Sequence, residues 1–177
     1  MKNPLLILGL TAMVAGCTGI PEGVEPVSGF EKDRYLGRWY EIARLDHSFE
    51  RGLSQVSAEY QLQEDGSIQV INRGYKESSD EWKEAKGRAV FVGSADVGHL
   101  KVSFFGPFYS SYVIFDLDKE AYSHAYVSGY NQDYLWFLSR TPQVSEAALQ
   151  DFKSTAREAG FDLEELILVK QDQQASD

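Results

Sequence analysis

Between residues 36 and 140 the chain alternates apolar and polar side chains in short runs split by turn residues. In 54–63, Val56, Ala58, Tyr60 and Leu62 hold one phase, and Ser57, Glu59 and Gln61 hold the other. A period of two is the mark of a strand with one buried face. Glu64-Asp65-Gly66 supplies a tight turn, and 67–75 alternates again through Ile68, Val70 and Asn72. Further segments of this kind fall at 37–46, 86–92, 99–105, 111–117, 122–128 and 134–140. Eight strands spaced by roughly ten residues predict an all-β sandwich or barrel.

The pattern changes after Pro142. Leu149, Phe152, Ala156 and Ala159 fall on one face at helical spacing. Ser145 is placed to cap this helix, with Glu146 in the first turn and Gly160 as the stop. Val144 and Leu149 are placed for a hydrophobic staple. A final short strand is expected at 166–170 and a polar tail at 171–177.

At the other end the pattern is different again. Lys2 precedes an uncharged apolar run at 5–14, followed by the small residues Ala15 and Gly16. This is the anatomy of an export leader over 1–16. The run is shorter than the ~20 apolar residues needed to span a bilayer. Residues 17–29 are rich in Gly, Pro and small side chains and read as a flexible tether before a single domain at 30–170.

Cys17 is the one cysteine of the 177 residues. A lone thiol in an exported chain points to an intermolecular disulfide or a reactive group. Its context, Val14-Ala15-Gly16-Cys17, resembles the bacterial lipobox. That resemblance implies a diacylglyceryl group on Cys17, cleavage before it and an acylated N-terminus. Thr18, rather than aspartate, follows it, which implies a lipid anchor in the outer membrane with the domain facing the periplasm.

The formal net charge is −10, without a basic stripe, so a nucleic-acid partner is not expected and anionic lipid surfaces repel the domain. No second cysteine is present to cross-link it. Burial must hold it together, and 10 Tyr, 10 Phe and 3 Trp supply the surface.

Three short motifs carry a family resemblance. Gly37-Arg38-Trp39, within YLGRWYEIAR (35–44), resembles the G-x-W signature of the lipocalin family. Tyr130-Asn131-Gln132-Asp133-Tyr134 resembles its second motif, T-D-Y, although Asn131 or Gln132 stands where threonine is common. Leu138-Ser139-Arg140 resembles the third. The longer runs 40–60 and 101–112 are similar to bacterial outer-membrane members. The resemblance implies an eight-stranded antiparallel up-and-down β-barrel, with one C-terminal helix packed on it and a short last strand. It makes Gly37, Trp39, Asp133, Tyr134 and Arg140 structural, with the Arg140 guanidinium over the Trp39 ring. A large indole suits the closed end of a small barrel.

Trp39 facing inward sets the phase of the lining. It places Glu41, Ala43 and Leu45 inside, with Val56, Ala58, Tyr60, Leu62, Ile68, Val70 and Asn72 from the next two strands. Leu100, Val102 and Phe104 join them, as do Tyr134, Trp136 and Leu138. A bulge would reverse this phase. The candidate ligand-binding set is Trp136, Tyr112, Tyr134, Leu138, Phe104, Val102, Ala58, Tyr60, Val70, Glu41 and Ala43. This lining suits an acyl chain with its polar head near the mouth. The resemblance narrows the ligand to a fatty acid or a lysophospholipid, stored or carried in envelope maintenance. Phe104-Phe105-Gly106-Pro107-Phe108-Tyr109 reads as core, membrane-facing rim or dimer surface, and the resemblance favours a homodimer.

No catalytic residue, cofactor or metal site is expected. His47, His99 and His124 are scattered, and each reads as a surface or rim side chain. No G-x-S-x-G elbow, phosphate loop or H-E-x-x-H appears. Glu41 and Arg44 fall in opposite strand phases, so no acid–base pair is expected from them. The competing class is an envelope assembly lipoprotein that uses the barrel as a scaffold.

Overall fold

The computed structural model describes residues 18–172. The leader, Cys17 and 173–177 lie outside the described residues.

The alternating runs form eight antiparallel strands: β1 Gly37–Arg44, β2 Leu53–Leu62, β3 Ile68–Lys76, β4 Glu81–Phe91, β5 His99–Phe105, β6 Phe108–Leu117, β7 His124–Ser128 and β8 Leu135–Ser139. Each pairs with the next, and β8 and β2 both pair with β1, so the sheet closes into an up-and-down barrel. A four-residue helix, α1 (Lys32–Tyr35), leads into β1 across one end. The helix α2 (Glu146–Glu158) has its cap at Ser145, whose Oγ accepts from the Ala148 backbone N–H. β9 is only Ile167–Leu168.

Two cores result. The interior one gathers Trp39, Tyr60, Ile68, Val70, Ala89, Leu100, Ile114, Val127 and Leu138. The outer one joins Phe152 and Ala156 of α2 to Ile42, Val113, Tyr126, Leu135 and Phe137 on the outside of the sheet. Val144 and Leu149 pack on this outer core.

Strand limits shifted where burial is weak. β4 begins at Glu81 rather than 86, and β6 at Phe108 rather than 111. The upper part of β4 is exposed along its whole length, so its pattern carries little burial signal. At the β2–β3 turn, Gly66 has φ +82°, a conformation that favours glycine. Asp65 accepts from the backbone N–H and Oγ of Ser67 and from Arg88, and these bonds hold its carboxyl down at about 2.

Two boundary expectations are corrected. Residues 18–29 do not form a free tether, because backbone and side-chain bonds strap them to the barrel. Ser111 Oγ donates to Gly19 O at 2.6 Å, and Gln132 Nε2 donates to Glu22 O. Val27 N donates to Ile114 O, and Gly98 N donates to Val27 O. At the other end Gln171 does not belong to a polar tail. Its amide donates to Glu41 O and Val56 O. With Val169 N on Ile42 O and Gln55 N on Lys170 O, the last strand fills the gap where the upper halves of β1 and β2 part.

Candidate functional site

The closed end is built around the first motif. Trp39 is fully buried, and its indole N–H donates to Tyr35 O at 2.8 Å. The Arg140 guanidinium lies 3.9 Å from its ring centroid. Arg140 also donates to the carbonyls of Arg34, Leu36, Arg38 and Tyr122. One cation therefore ties α1, β1 and the start of β7 into a floor. Gly37 crosses beside it at φ +91°.

The other motif residues build a turn at the opposite, open end. Asn131 and Asp133 exchange hydrogen bonds before β8. Gly129 must be glycine here, since a Cβ would stand 2.6 Å from Tyr134 Cβ. Tyr134 stacks on Trp136 and on Phe49 at this mouth.

Most of the expected lining comes together. Tyr60, Val70 and Leu138 are buried in the interior core, and Ala58, Val102, Phe104, Tyr112 and Trp136 pack against it while keeping partial exposure. The Tyr112 hydroxyl sits 2.7 Å from both the Tyr35 and Tyr60 hydroxyls. Burial pushes all three phenols up, so they are neutral donors. Three hydroxyl protons share two bonds, so one O–H is left over for another oxygen. A cleft of about 490 Å³ beside the β2–β3 turn is lined by Gln63, Glu64, Asp65, Ser67, Gln69, Gly87 and Arg88, none of which has an apolar side chain.

Ala43 is a correction. It lies in the outer core against Phe137, not in the lumen, and so does Leu45. A bulge in β1 is the reason. The β1–β8 register runs Glu41↔Leu138 and then Ala43↔Phe137, which inserts Ile42 as an extra residue and reverses the phase. The same bulge brings Arg44 to the face of Glu41, opposite Trp136. The expectation that the two could not meet is therefore overturned: Arg44 Nη1 donates to Glu41 Oε1 at 2.7 Å, with both side chains buried.

This pair is part of a polar cluster that pins the β1–β2 loop over the mouth. Arg44 Nη2 donates to the carbonyls of Glu50 and Leu53. Glu50, also buried, accepts from the Trp136 indole N–H at 3.0 Å. His47 is not a surface or rim side chain but is buried, with Nε2 2.8 Å from Glu50 Oε2 and its ring 3.9 Å from that of Phe49. Burial raises the Glu41 carboxyl well above its usual range, and the neighbouring Glu50 adds to this while Arg44 opposes it. Arg44, Glu50 and Tyr35 were missed in the sequence. Only the bulge, which alternation does not announce, places Arg44 here. Among the described residues, no group of His, Cys, Asp and Glu is arranged to hold a metal ion.

Comparison with known proteins fits this geometry. The lipocalin-like domain family matches residues 30–171. A Vibrio cholerae protein named outer membrane lipoprotein Blc is 58% identical over 97% of this chain and 99% of its own length. The Escherichia coli K12 protein of the same name is 47% identical over 95% of this chain and 96% of its own. Among solved structures, insecticyanin from the tobacco hornworm superposes with a TM-score of 0.68 at 18% identity, covering 88% of each chain, which is a likeness of fold.

Proposed function

The chain belongs to the lipocalin family, and from that membership we propose that it is a lipid-anchored outer-membrane protein that binds single-chain lipids in its barrel. Fatty acids and lysophospholipids are the ligand class, held or carried in maintenance of the cell envelope. The protein acts by binding rather than by catalysis.

One observation carries this reading. The inward face is apolar and aromatic, and Ala58, Val102, Phe104, Tyr112 and Trp136 keep partial exposure there. Eight strands leave room for one small ligand. A single acyl chain matches such a lining, and a lysophospholipid brings one chain where a membrane phospholipid brings two. The spare phenol proton of the Tyr35–Tyr112–Tyr60 chain offers a bond to a ligand oxygen.

Titration with a lysophospholipid should quench tryptophan fluorescence to saturation. Trp39 is sealed in the floor, and Trp82 faces away from the lumen beside Tyr75 and Arg73, so the signal belongs to Trp136. Trp136→Phe should lose most of it. A flat titration with every single-chain lipid tried overturns the reading. Native mass spectrometry gives an independent check, with a co-purifying mass of one-chain size as the expected result.

The anchor rests on Cys17 and on the relatives named as outer membrane lipoproteins. Each buried CH₂ contributes only ~0.8 kcal/mol and one chain holds marginally, so stable anchoring needs more than one chain, which a fully acylated cysteine provides. Cys17→Ser should leave the leader uncleaved or the protein soluble. Continued fractionation with the outer membrane in high salt would show that something else holds it there.

A further inference from the structure

Asn72 is a polar residue on an otherwise apolar stretch of the lumen wall. It stands on β3 in the phase of Ile68 and Val70, which are buried in the interior core. The β3–β4 register is unbroken from Ile68 to Lys76, so no bulge turns Asn72 outward. Its direct partners across the sheet are Ala58 on β2 and Ala85 on β4, which share its face. A methyl group on either side can neither cover a carboxamide nor bond to it. Tyr60 lies diagonally opposite on β2, because it pairs with Val70, and it brings the phenol chain to the same wall.

The neighbouring polar groups are engaged. Glu41 holds Arg44, Glu50 accepts from Trp136, and the Tyr35, Tyr112 and Tyr60 hydroxyls bond one another. The Asn72 carboxamide forms no hydrogen bond with any described residue, and the side chain keeps partial exposure. Water serves it while the lumen is wet. A plain acyl chain sealed against this wall strips that water and returns nothing, which leaves an amide unpaired at a cost. A hydroxyl group on the ligand is the matching chemistry. Its proton goes to the amide oxygen, and its own oxygen accepts from the amide N–H or from the surplus phenol O–H. A keto or ether oxygen would leave the amide oxygen unserved. Depth says where on the ligand the hydroxyl belongs. Asn72 is four residues from Lys76 at the open end of β3, about 13 Å along the strand. A lipid whose head stays at the mouth meets Asn72 with its chain.

We propose that Asn72 is a specificity-determining residue that selects single-chain lipids carrying a hydroxyl group partway along the acyl chain. The inference deepens the single-chain-lipid reading and rests on it. Ala58 and Ala85 give the hydroxyl room beside the carboxamide, and the lining around Val70 and Val102 takes the hydrocarbon on either side of it.

The test titrates the full chain with oleate and with ricinoleate, which differ by one mid-chain hydroxyl, and follows Trp136 fluorescence. Ricinoleate should bind the wild type about fivefold tighter, the worth of one net hydrogen bond. Asn72→Leu should reverse the order. Oleate gains, because no amide loses its water, and ricinoleate loses its partner. A ratio of two lipids within one variant does not depend on the fraction of protein folded, and Asn72→Ala removes the same groups should the leucine variant fail to fold. Equal affinities in the wild type, or a preference that survives in both variants, overturns the proposal. A second pair, stearoyl lysophosphatidylcholine and its analogue without the glycerol hydroxyl, separates the two sources of a hydroxyl. A preference that Asn72 controls in this pair and not in the first assigns the carboxamide to the glycerol and overturns the chain assignment. Saturable oleate binding with no gain for ricinoleate sinks the role of Asn72 alone, whereas no binding of any of the four lipids sinks the single-chain-lipid reading and takes the inference with it.

Discussion

Trp39→Ala should cost about 3–5 kcal/mol of folding stability, the range for deleting a buried tryptophan ring. The indole is fully buried at the floor and contacts the Tyr35 ring at 4.8 Å. Its loss leaves a cavity that the closed sheet cannot collapse into, because β1 is held on both sides. It also removes the surface under the Arg140 guanidinium, a stacking worth ~0.5–2 kcal/mol, although Arg140 keeps its carbonyl partners. Urea denaturation of wild type and variant measures the difference. A loss below about 1 kcal/mol would show that Trp39 does not plug the barrel as described.

The second large effect is expected at Arg44. Arg44→Leu removes the cation that pairs with buried Glu41 and holds the carbonyls of Glu50 and Leu53. Breaking a buried pair from one side typically costs about 3–5 kcal/mol, because the remaining charge is left uncompensated. The loss should depend on pH with a definite sign. Glu41 already has a raised pKa from burial and from Glu50, and without Arg44 it rises further. A carboxyl raised by folding binds a proton more tightly in the native state, so its contribution is complete below its unfolded value and is lost as pH rises. The gap between variant and wild type should therefore be small in acid and widen towards neutral pH. Adding Glu41→Gln to Arg44→Leu should recover part of the loss and flatten this dependence. A gap independent of pH would remove Glu41 from the account.

These two sites differ in how far they could be read in advance. Trp39 and Arg140 were legible because each sits in a short motif whose spacing is local, and the closed end assembles them as expected. Tyr60, Val70, Val102 and Trp136 were legible because β2 from Ser57 onward, β3, the first rungs of β5 and β8 keep their alternation. The mouth cluster was not. Arg44 and Glu41 are three residues apart, and an unbroken strand would turn them to opposite faces. His47 was read as a surface or rim residue because it lies in a loop, whereas Arg44 and Glu50 draw that loop down and bury the ring.

The sequence by itself determined the number and order of strands, the late helix with its Ser145 cap, the closed-end motif and the apolar character of the lining. These follow from interactions between near neighbours in the chain, where a period of two or of 3.6 is enough to choose a face. Only the tertiary structure decided the bulge at Ile42, the strapping of 18–29 along the wall and the use of Gln171 to close the gap between β1 and β2. Each depends on partners distant in the chain, 92 residues for Ser111 and Gly19 and 130 for Gln171 and Glu41, or on another strand's register, and local periodicity holds no record of them. The polar cluster at the lumen's mouth, with Arg44 on Glu41 and Glu50 on Trp136, comes from that second set.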